Sequence, residues 1–248
     1  MPNLYPGRKR LPLFDMLRGA ALVSMLAYHF LYDVNIVGGA DPGWAARPAV
    51  MLWQKLGAGL FILISGMCFM LGGARWQNGA KLLACGLAVT AATYIFMPQQ
   101  LIVCGVLTFM GAALLVTLAL SAWLQKTPLV WGLPFCLAGY ALTSNIAGGA
   151  AQLCGRTLWR WPQALYRDGM ALLGFHGGDF YSADYVPLLP NIFIYWLGLY
   201  LVSLMRVFAP QLAFYGDWRW LTWLGRHSLI IYLLHQPLLL ALAQLVAP

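Results

Sequence analysis

Four ionisable side chains lie in the first long apolar stretch of the sequence, DMLRGAALVSMLAYHFLYD: Asp15, Arg18, His29 and Asp33. At about 100° per residue along an α-helix, all four point into one sector of roughly 60°. A charge near the centre of a bilayer costs at least about 2.5 kcal/mol. We therefore predict that this face is directed into the protein, where His29 can exchange a proton and Asp33, one turn later, can orient its ring.

A second histidine, His235, lies in the last apolar stretch, which contains WLGRHSLIIYLLHQP from residue 223. With a rise of about 1.5 Å per residue, His235 is about 21 Å from residue 221, and His29 is about 24 Å from residue 13. Because both helices are expected to run outward, the two imidazoles share one depth, while their lateral distance is left open. We predict His235 as a second proton-transfer group.

Asp15 has a structural interpretation. An aspartate and an arginine three residues apart on a helix can form an ion pair, and such pairs are common inside membrane bundles. We therefore predict an ion pair between Asp15 and Arg18 that fixes the inner end of the helix.

The elements that must position these side chains are membrane helices. Of 248 residues, 61% are hydrophobic and 9% charged, which excludes an ordinary soluble domain. The net charge of +8 is spread over short connections between apolar runs, so it indicates membrane topology and excludes nucleic acid as a partner. Five widely spaced cysteines without a CxxC pattern indicate neither a disulfide framework nor a zinc site, and no metal site is predicted.

We predict an all-α, polytopic bundle of about seven transmembrane helices, forming a single domain over residues 1–248 in the lipid bilayer. The basic connections place the N-terminus in the cytoplasm and a longer loop, residues 148–187, outside. The predicted spans are apolar runs of the length that a bilayer requires, at residues 13–33, 50–72, 80–97, 101–124, 128–147, 188–207 and 221–245.

Three stretches together resemble the transmembrane acyltransferase superfamily. The first is similar to its D-x-x-R-G start with a histidine eleven residues after the arginine, at residues 15–29. The second, LFILISG at 60–66, resembles an F-x-x-S-G span, and the third, residues 224–237, resembles an L-G-x-x-S…Y-L-x-H-x-P ending. Acyltransferase type 3 membrane proteins share this likeness.

Within that group, the chain length and the loop FHGGDFYSADYVPLLP at 175–190 are most similar to bacterial relatives of the heparan-alpha-glucosaminide N-acetyltransferase catalytic domain. The resemblance implies an enzyme of the bacterial inner membrane that moves an acetyl group from cytosolic acetyl-CoA to an amine or hydroxyl of an envelope sugar or glycan. A homodimer is left open. The pattern of the lysosomal enzyme places its catalytic histidine in the loop after the first motif helix and has Asn at the position that corresponds to His29. This chain has no histidine from 30 to 49.

The resemblance to the broader superfamily implies that Arg18 and His29 are the essential pair, and the chemistry of the other residues suggests their roles. The catalytic candidates are His29, Asp33, Arg18 and His235. The candidates for binding acetyl-CoA, by its anionic part or by its thioester carbonyl, are Arg18, Ser65, Arg226 and Tyr232. In the outer loop, Asp179, Asp184 and Tyr185 are candidates for binding sugar hydroxyls, with solvated loop residues as the alternative.

Two other functions use the same residues. A proton-coupled transporter of small solutes would also direct Asp, Arg and His inward from one helix, although paired repeats or interrupted half-helices are absent from the sequence. A haem protein could use two histidines at equal depth on different helices as axial ligands.

Overall fold

The computed structural model of the chain describes residues 11–71, 74–153, 155–214 and 218–246. The basic residues Arg8 to Arg10, on which the predicted orientation partly depends, lie outside this part. The helices within it are α1 (Pro12–Tyr32), α2 (Pro48–Phe69), α3 (Trp76–Phe96), α4 (Val106–Ala119), α5 (Ser121–Lys126), α6 (Leu129–Thr143), α7 (Leu188–Phe208), α8 (Arg219–Arg226) and α9 (Ser228–Val246).

Five of these helices are long and apolar enough to cross a membrane, whereas about seven spans were predicted. They are α1 with the π-helical turn that follows it, α2, α3, α7 and α9. The other two predicted spans, 101–124 and 128–147, are shorter helices of 14 and 15 residues, α4 and α6. The first is shortened because Cys104 has a positive φ of 54° before α4 and Leu120 leaves helical geometry after it.

The predicted last span, 221–245, is divided. Helix α8 ends at Arg226, His227 adopts φ −103° and ψ 14°, and α9 begins at Ser228. Within this region, α9 is the helix long and apolar enough to cross a membrane, and α8 is a separate short helix before it.

The described chain is mostly helical, as predicted, but the long loop contains a short hairpin that was not predicted. Strands β1 (Ala150–Leu153) and β2 (Arg156–Arg160) form an antiparallel hairpin in which Ala150 pairs with Arg160. Gly155 supplies a positive φ of 77° at the turn, and β2 contains Thr, Leu and Trp, residue types that suit a strand. Helical periodicity in the apolar runs carried no information about this polar, aromatic segment.

Internal contacts divide the chain into two compact units. We call the described residues of 11–65 and 205–246 the terminal unit, and the described residues of 66–204 the central unit. In the central unit, α3 and α4 pack at backbone distance, because a Cβ on Gly86 would collide with Thr108. A buried hydrogen bond of 2.9 Å from Trp196 Nε1 to Thr117 Oγ1 joins α7 to α4.

In the terminal unit, α1 packs closely on α8. A Cβ on Gly19 would collide with the carbonyl oxygen of Leu221, and a Cβ on Gly225 with that of Asp15. Two glycines facing each other's helix let the backbones touch, as in other tight helix pairs of membrane proteins. This contact determines which residues of α8 can reach the start of α1.

Candidate active site

The ionisable face of α1 packs against α8 and α9 within the terminal unit. Asp15, near its start, reaches Arg226 of α8, and Asp33, just after its end, reaches Gln236 of α9. Tyr28, next to His29 in the sequence, packs in an aromatic cluster with Trp44 and Trp53, and its ring lies 5.7 Å from that of His29. The aromatic cluster therefore adjoins the ionisable face of α1 at His29.

The two histidines predicted to share one depth are neighbours. The ring centroids of His29 and His235 are 5.0 Å apart, with the ring planes at 65°. His235 is buried and His29 is half-buried. The sequence left their lateral distance open, and the packing of α9 on α1 supplies it.

The hydrogen bond of the His235 ring indicates its tautomer. Its Nδ1 lies against the carbonyl oxygen of Tyr232, one turn earlier on α9. A carbonyl can only accept, so Nδ1 carries the hydrogen and, in the neutral ring, Nε2 is the nitrogen that can take up a proton. The ring centroid of Tyr232 lies 5.2 Å from that of His235, so three rings, those of His29, His235 and Tyr232, lie together.

Asp33 is 1% exposed and accepts two hydrogen bonds from one side chain. The amide nitrogen of Gln236 lies 3.0 Å from Oδ1 and 3.3 Å from Oδ2. Asp33 also begins a π-helical turn, Asp33–Val37, and such turns occur frequently at functional sites. Sequence reasoning missed Gln236, although an amide next to His235 in an apolar helix was a usable signal.

Asp15 has a different partner from the predicted one. Its Oδ2 lies 3.2 Å from Nε of Arg226, and it forms no ion pair with Arg18, three residues along α1. The close approach at Gly19 and Gly225 brings Arg226 to Asp15, and this contact depends on tertiary packing that spacing along one helix cannot reveal. The side chain of Arg226 is 44% exposed, so it remains accessible from solvent.

The remaining donor-binding candidates are Arg18 and Ser65. Arg18 is half-buried and, at about 1.5 Å per residue, about 16 Å along α1 from His29. The hydroxyl of Ser65 donates to the carbonyl of Phe61 at 2.8 Å, a bond within its own helix. The structure thus brings the rings of His29, His235 and Tyr232 together and holds Asp33 against Gln236, the residue after His235. Arg18 lies further along α1, toward its start.

The candidates in the loop at residues 148–187 lie in the central unit. Asp179 is exposed, Asp184 accepts a hydrogen bond of 3.4 Å from the backbone nitrogen of Val106, and Tyr185 donates to the carbonyl of Ala171 at 2.6 Å. Burial, with a smaller effect of the nearby Cys104 thiol, raises the pKa of the Tyr185 hydroxyl. That hydroxyl therefore stays a donor at neutral pH, and Tyr185 and Asp184 both support the loop backbone.

The histidine pair is too close to hold a haem iron between its rings. Metal–nitrogen bonds of about 2.0 Å would place two axial imidazole centroids about 6 Å apart. The observed 5.0 Å, with Nδ1 of His235 engaged by a carbonyl, does not fit that arrangement. The haem hypothesis is therefore dropped.

The sequence matches the family described as heparan-alpha-glucosaminide N-acetyltransferase, catalytic, over residues 10–237. The chain belongs to this family. The match spans both units and includes all three motifs, from Asp15 to Pro237. No curated protein and no solved structure gives a match.

Membership in the heparan-alpha-glucosaminide N-acetyltransferase family implies transferase activity, and the apolar helices indicate a membrane protein. Both agree with the expectations from the motifs. The family description names an acetyl group as the group transferred, which an imidazole acting as a base can support.

Proposed function

We propose that this protein transfers an acetyl group from cytosolic acetyl-CoA to an amine or hydroxyl of an envelope sugar or glycan. It would do so as a multi-pass enzyme of the bacterial inner membrane with a cytoplasmic N-terminus. The observation that carries the proposal is the pair of adjacent imidazoles, His29 and His235, in a chain of an acetyltransferase family. Acyl transfer needs one proton taken from the acceptor and one given to the leaving thiolate, and two neighbouring imidazoles can supply both.

Each histidine has one role in the proposed reaction. His29 takes the proton from the acceptor O–H or N–H as that oxygen or nitrogen bonds to the acetyl carbon. That proton passes from His29 to Nε2 of His235, across a ring separation of 5.0 Å. As the carbon–sulfur bond breaks, His235 gives it to the thiolate of coenzyme A, and both rings are neutral again.

Asp33 and Tyr232 would assist the histidines electrostatically. A buried carboxylate one turn after His29 favours the imidazolium that forms when His29 accepts a proton. The Tyr232 hydroxyl would donate a hydrogen bond to the thioester carbonyl as negative charge develops on its oxygen. Acetyl-CoA supplies the activated acetyl group, and these side chains supply proton transfer and charge stabilisation.

The donor would extend along α1 from the end that carries Arg18 and Arg226. The separation of about 16 Å between Arg18 and His29 is comparable to an extended pantetheine arm. Arginines at this end suit the phosphates of coenzyme A, because a guanidinium forms paired hydrogen bonds to phosphate oxygens. The outer-loop Asp179, Asp184 and Tyr185 remain candidates for the acceptor side.

The proposal is tested with purified protein in nanodiscs. Labelled acetyl-CoA is supplied with a panel of amino sugars, lipid-linked sugars and glycans, and thiol release and transfer of label are measured together. Matched amounts of free thiol and acetylated acceptor support the proposal. Solute uptake into vesicles that does not depend on acetyl-CoA, without any acetylated product, would instead indicate the proton-coupled transporter.

Gln236→Leu should lower kcat by roughly tenfold to a hundredfold, because loss of about 1–3 kcal/mol of hydrogen bonding leaves the Asp33 carboxylate poorly held. Steady-state kinetics at saturating acetyl-CoA measures the effect. The matched control is Gln244→Leu, which makes the same change at an exposed position of the same helix. Equal kcat values for the two variants would remove Gln236 from the site.

Arg226→Gln should raise KM for acetyl-CoA several-fold with little change in kcat, because a lost phosphate contact weakens donor binding throughout the reaction. Asp15→Asn, which breaks the same ion pair from the other side, should leave this KM within about twofold, since exposed pairs contribute only about 0–1 kcal/mol. If both variants change KM equally, Arg226 acts only through its pair with Asp15.

A further inference from the structure

Helix α8 connects two membrane-crossing helices without crossing the membrane itself. Helix α7 ends at Phe208, α9 begins at Ser228, and both are apolar enough to span a bilayer. A short helix between two spans lies at the boundary between lipid and water. Its outward surface therefore meets lipid headgroups rather than bulk solvent alone.

One face of α8 is buried against protein and the other is exposed. Leu221, Thr222 and Gly225 are buried, and the backbone at Leu221 and Gly225 packs on α1. The exposed residues lie on the opposite face of the helix. At 100° per residue, they fall within a sector of about 120°. These exposed residues are Arg219, Trp220, Trp223 and Arg226.

The exposed face combines large aromatic area with positive charge. Trp218, Trp220 and Trp223 are 63%, 57% and 56% exposed. Among the described residues, neither Arg219 nor the exposed Arg206 at the end of α7 forms an ion pair. Tryptophan is enriched at the headgroup level of membranes, and arginine beside it attracts anionic lipids.

We propose that this face, which we call the α8 face (Arg206, Trp218, Arg219, Trp220 and Trp223), binds the headgroups of anionic phospholipids. The indoles lie among the glycerol and upper acyl positions, and the two guanidiniums contact lipid phosphates. A lipid is favoured over a protein partner because the segment is tied at both ends to membrane spans. The inference is independent of the acetyl-transfer proposal.

The test uses the full-length protein in phosphatidylcholine nanodiscs that contain a trace of photo-crosslinking phosphatidylglycerol or, separately, photo-crosslinking phosphatidylcholine. Adducts are mapped by peptide mass spectrometry. We expect the phosphatidylglycerol probe to label residues 218–227 at least about fivefold more than the choline probe. Each basic residue near the surface raises the affinity for an anionic lipid by a factor of about five.

The double variant Arg206→Gln with Arg219→Gln should reduce phosphatidylglycerol labelling to the choline level. Lys126→Gln, which removes an exposed charge from the end of α5, should leave it unchanged. Trp220→Ala with Trp223→Ala should reduce labelling by both probes. Equal labelling by the two probes, labelling that survives the double arginine variant, or no labelling of this segment would each overturn the proposal.

Discussion

Replacement of His29 by glutamine should lower kcat/KM for acetyl transfer by about 10²–10⁴-fold, the usual contribution of a general base. Glutamine keeps a polar side chain of similar reach but cannot take up a proton at neutral pH. His29 is half-buried and lies beside His235 in the terminal unit, so the loss affects the proposed proton-transfer step directly. Label transfer from acetyl-CoA to the acceptor measures the effect.

The matched control for this prediction is His227→Gln. His227 lies between α8 and α9, where its Nδ1 is 2.9 Å from the carbonyl oxygen of Trp223 and its ring packs at a tilt against that indole. Its replacement should leave turnover within about twofold, since no proton-transfer role is assigned to it. If His29→Gln turns over as fast as the parent protein, His29 is not the base, and the proposed mechanism fails.

The variant His235→Gln tests the role of His235 separately from that of His29. If His235 protonates the leaving thiolate, its loss should slow thiol release and acceptor acetylation together, even when His29 is intact. If His29 were instead acetylated transiently, label should accumulate on the protein in the His235 variant. Mass spectrometry of the α1 peptide after brief exposure to acetyl-CoA distinguishes these outcomes.

The second large effect concerns stability. Gly225→Ala should destabilise the protein by about 1–3 kcal/mol, because the added Cβ would collide with the carbonyl oxygen of Asp15 and push α8 away from α1. For a chain of this size, each kcal/mol corresponds to roughly 2–4 °C in Tm. Thermal unfolding in detergent or nanodiscs measures the change.

Gly57→Ala provides the control for the same substitution without a clash. A Cβ on Gly57 meets no atom within 4 Å, and alanine favours a helix over glycine, so Tm should stay equal or rise. The contrast isolates contact between helices from the intrinsic preference of the residue. Equal Tm values for the two variants would show that α1 and α8 do not approach each other closely at Gly225.

The sequence alone determined the class of protein and the polar face of its first helix. Apolar runs of bilayer length predict membrane helices, and the helical repeat places Asp15, His29 and Asp33 on one side, because both properties depend only on the chain's local order. The three motifs indicated the acyltransferase resemblance, and the family match over residues 10–237 confirms it. The residue roles stay predictions.

Only the tertiary structure decided which side chains meet. The 5.0 Å contact between His29 and His235, the hydrogen bonds from Gln236 to Asp33 and the pairing of Asp15 with Arg226 all join residues about 200 positions apart. Periodicity describes one helix and carries no information on which neighbour it packs against. That choice depends on close backbone approach at Gly19 and Gly225, a property of two helices together.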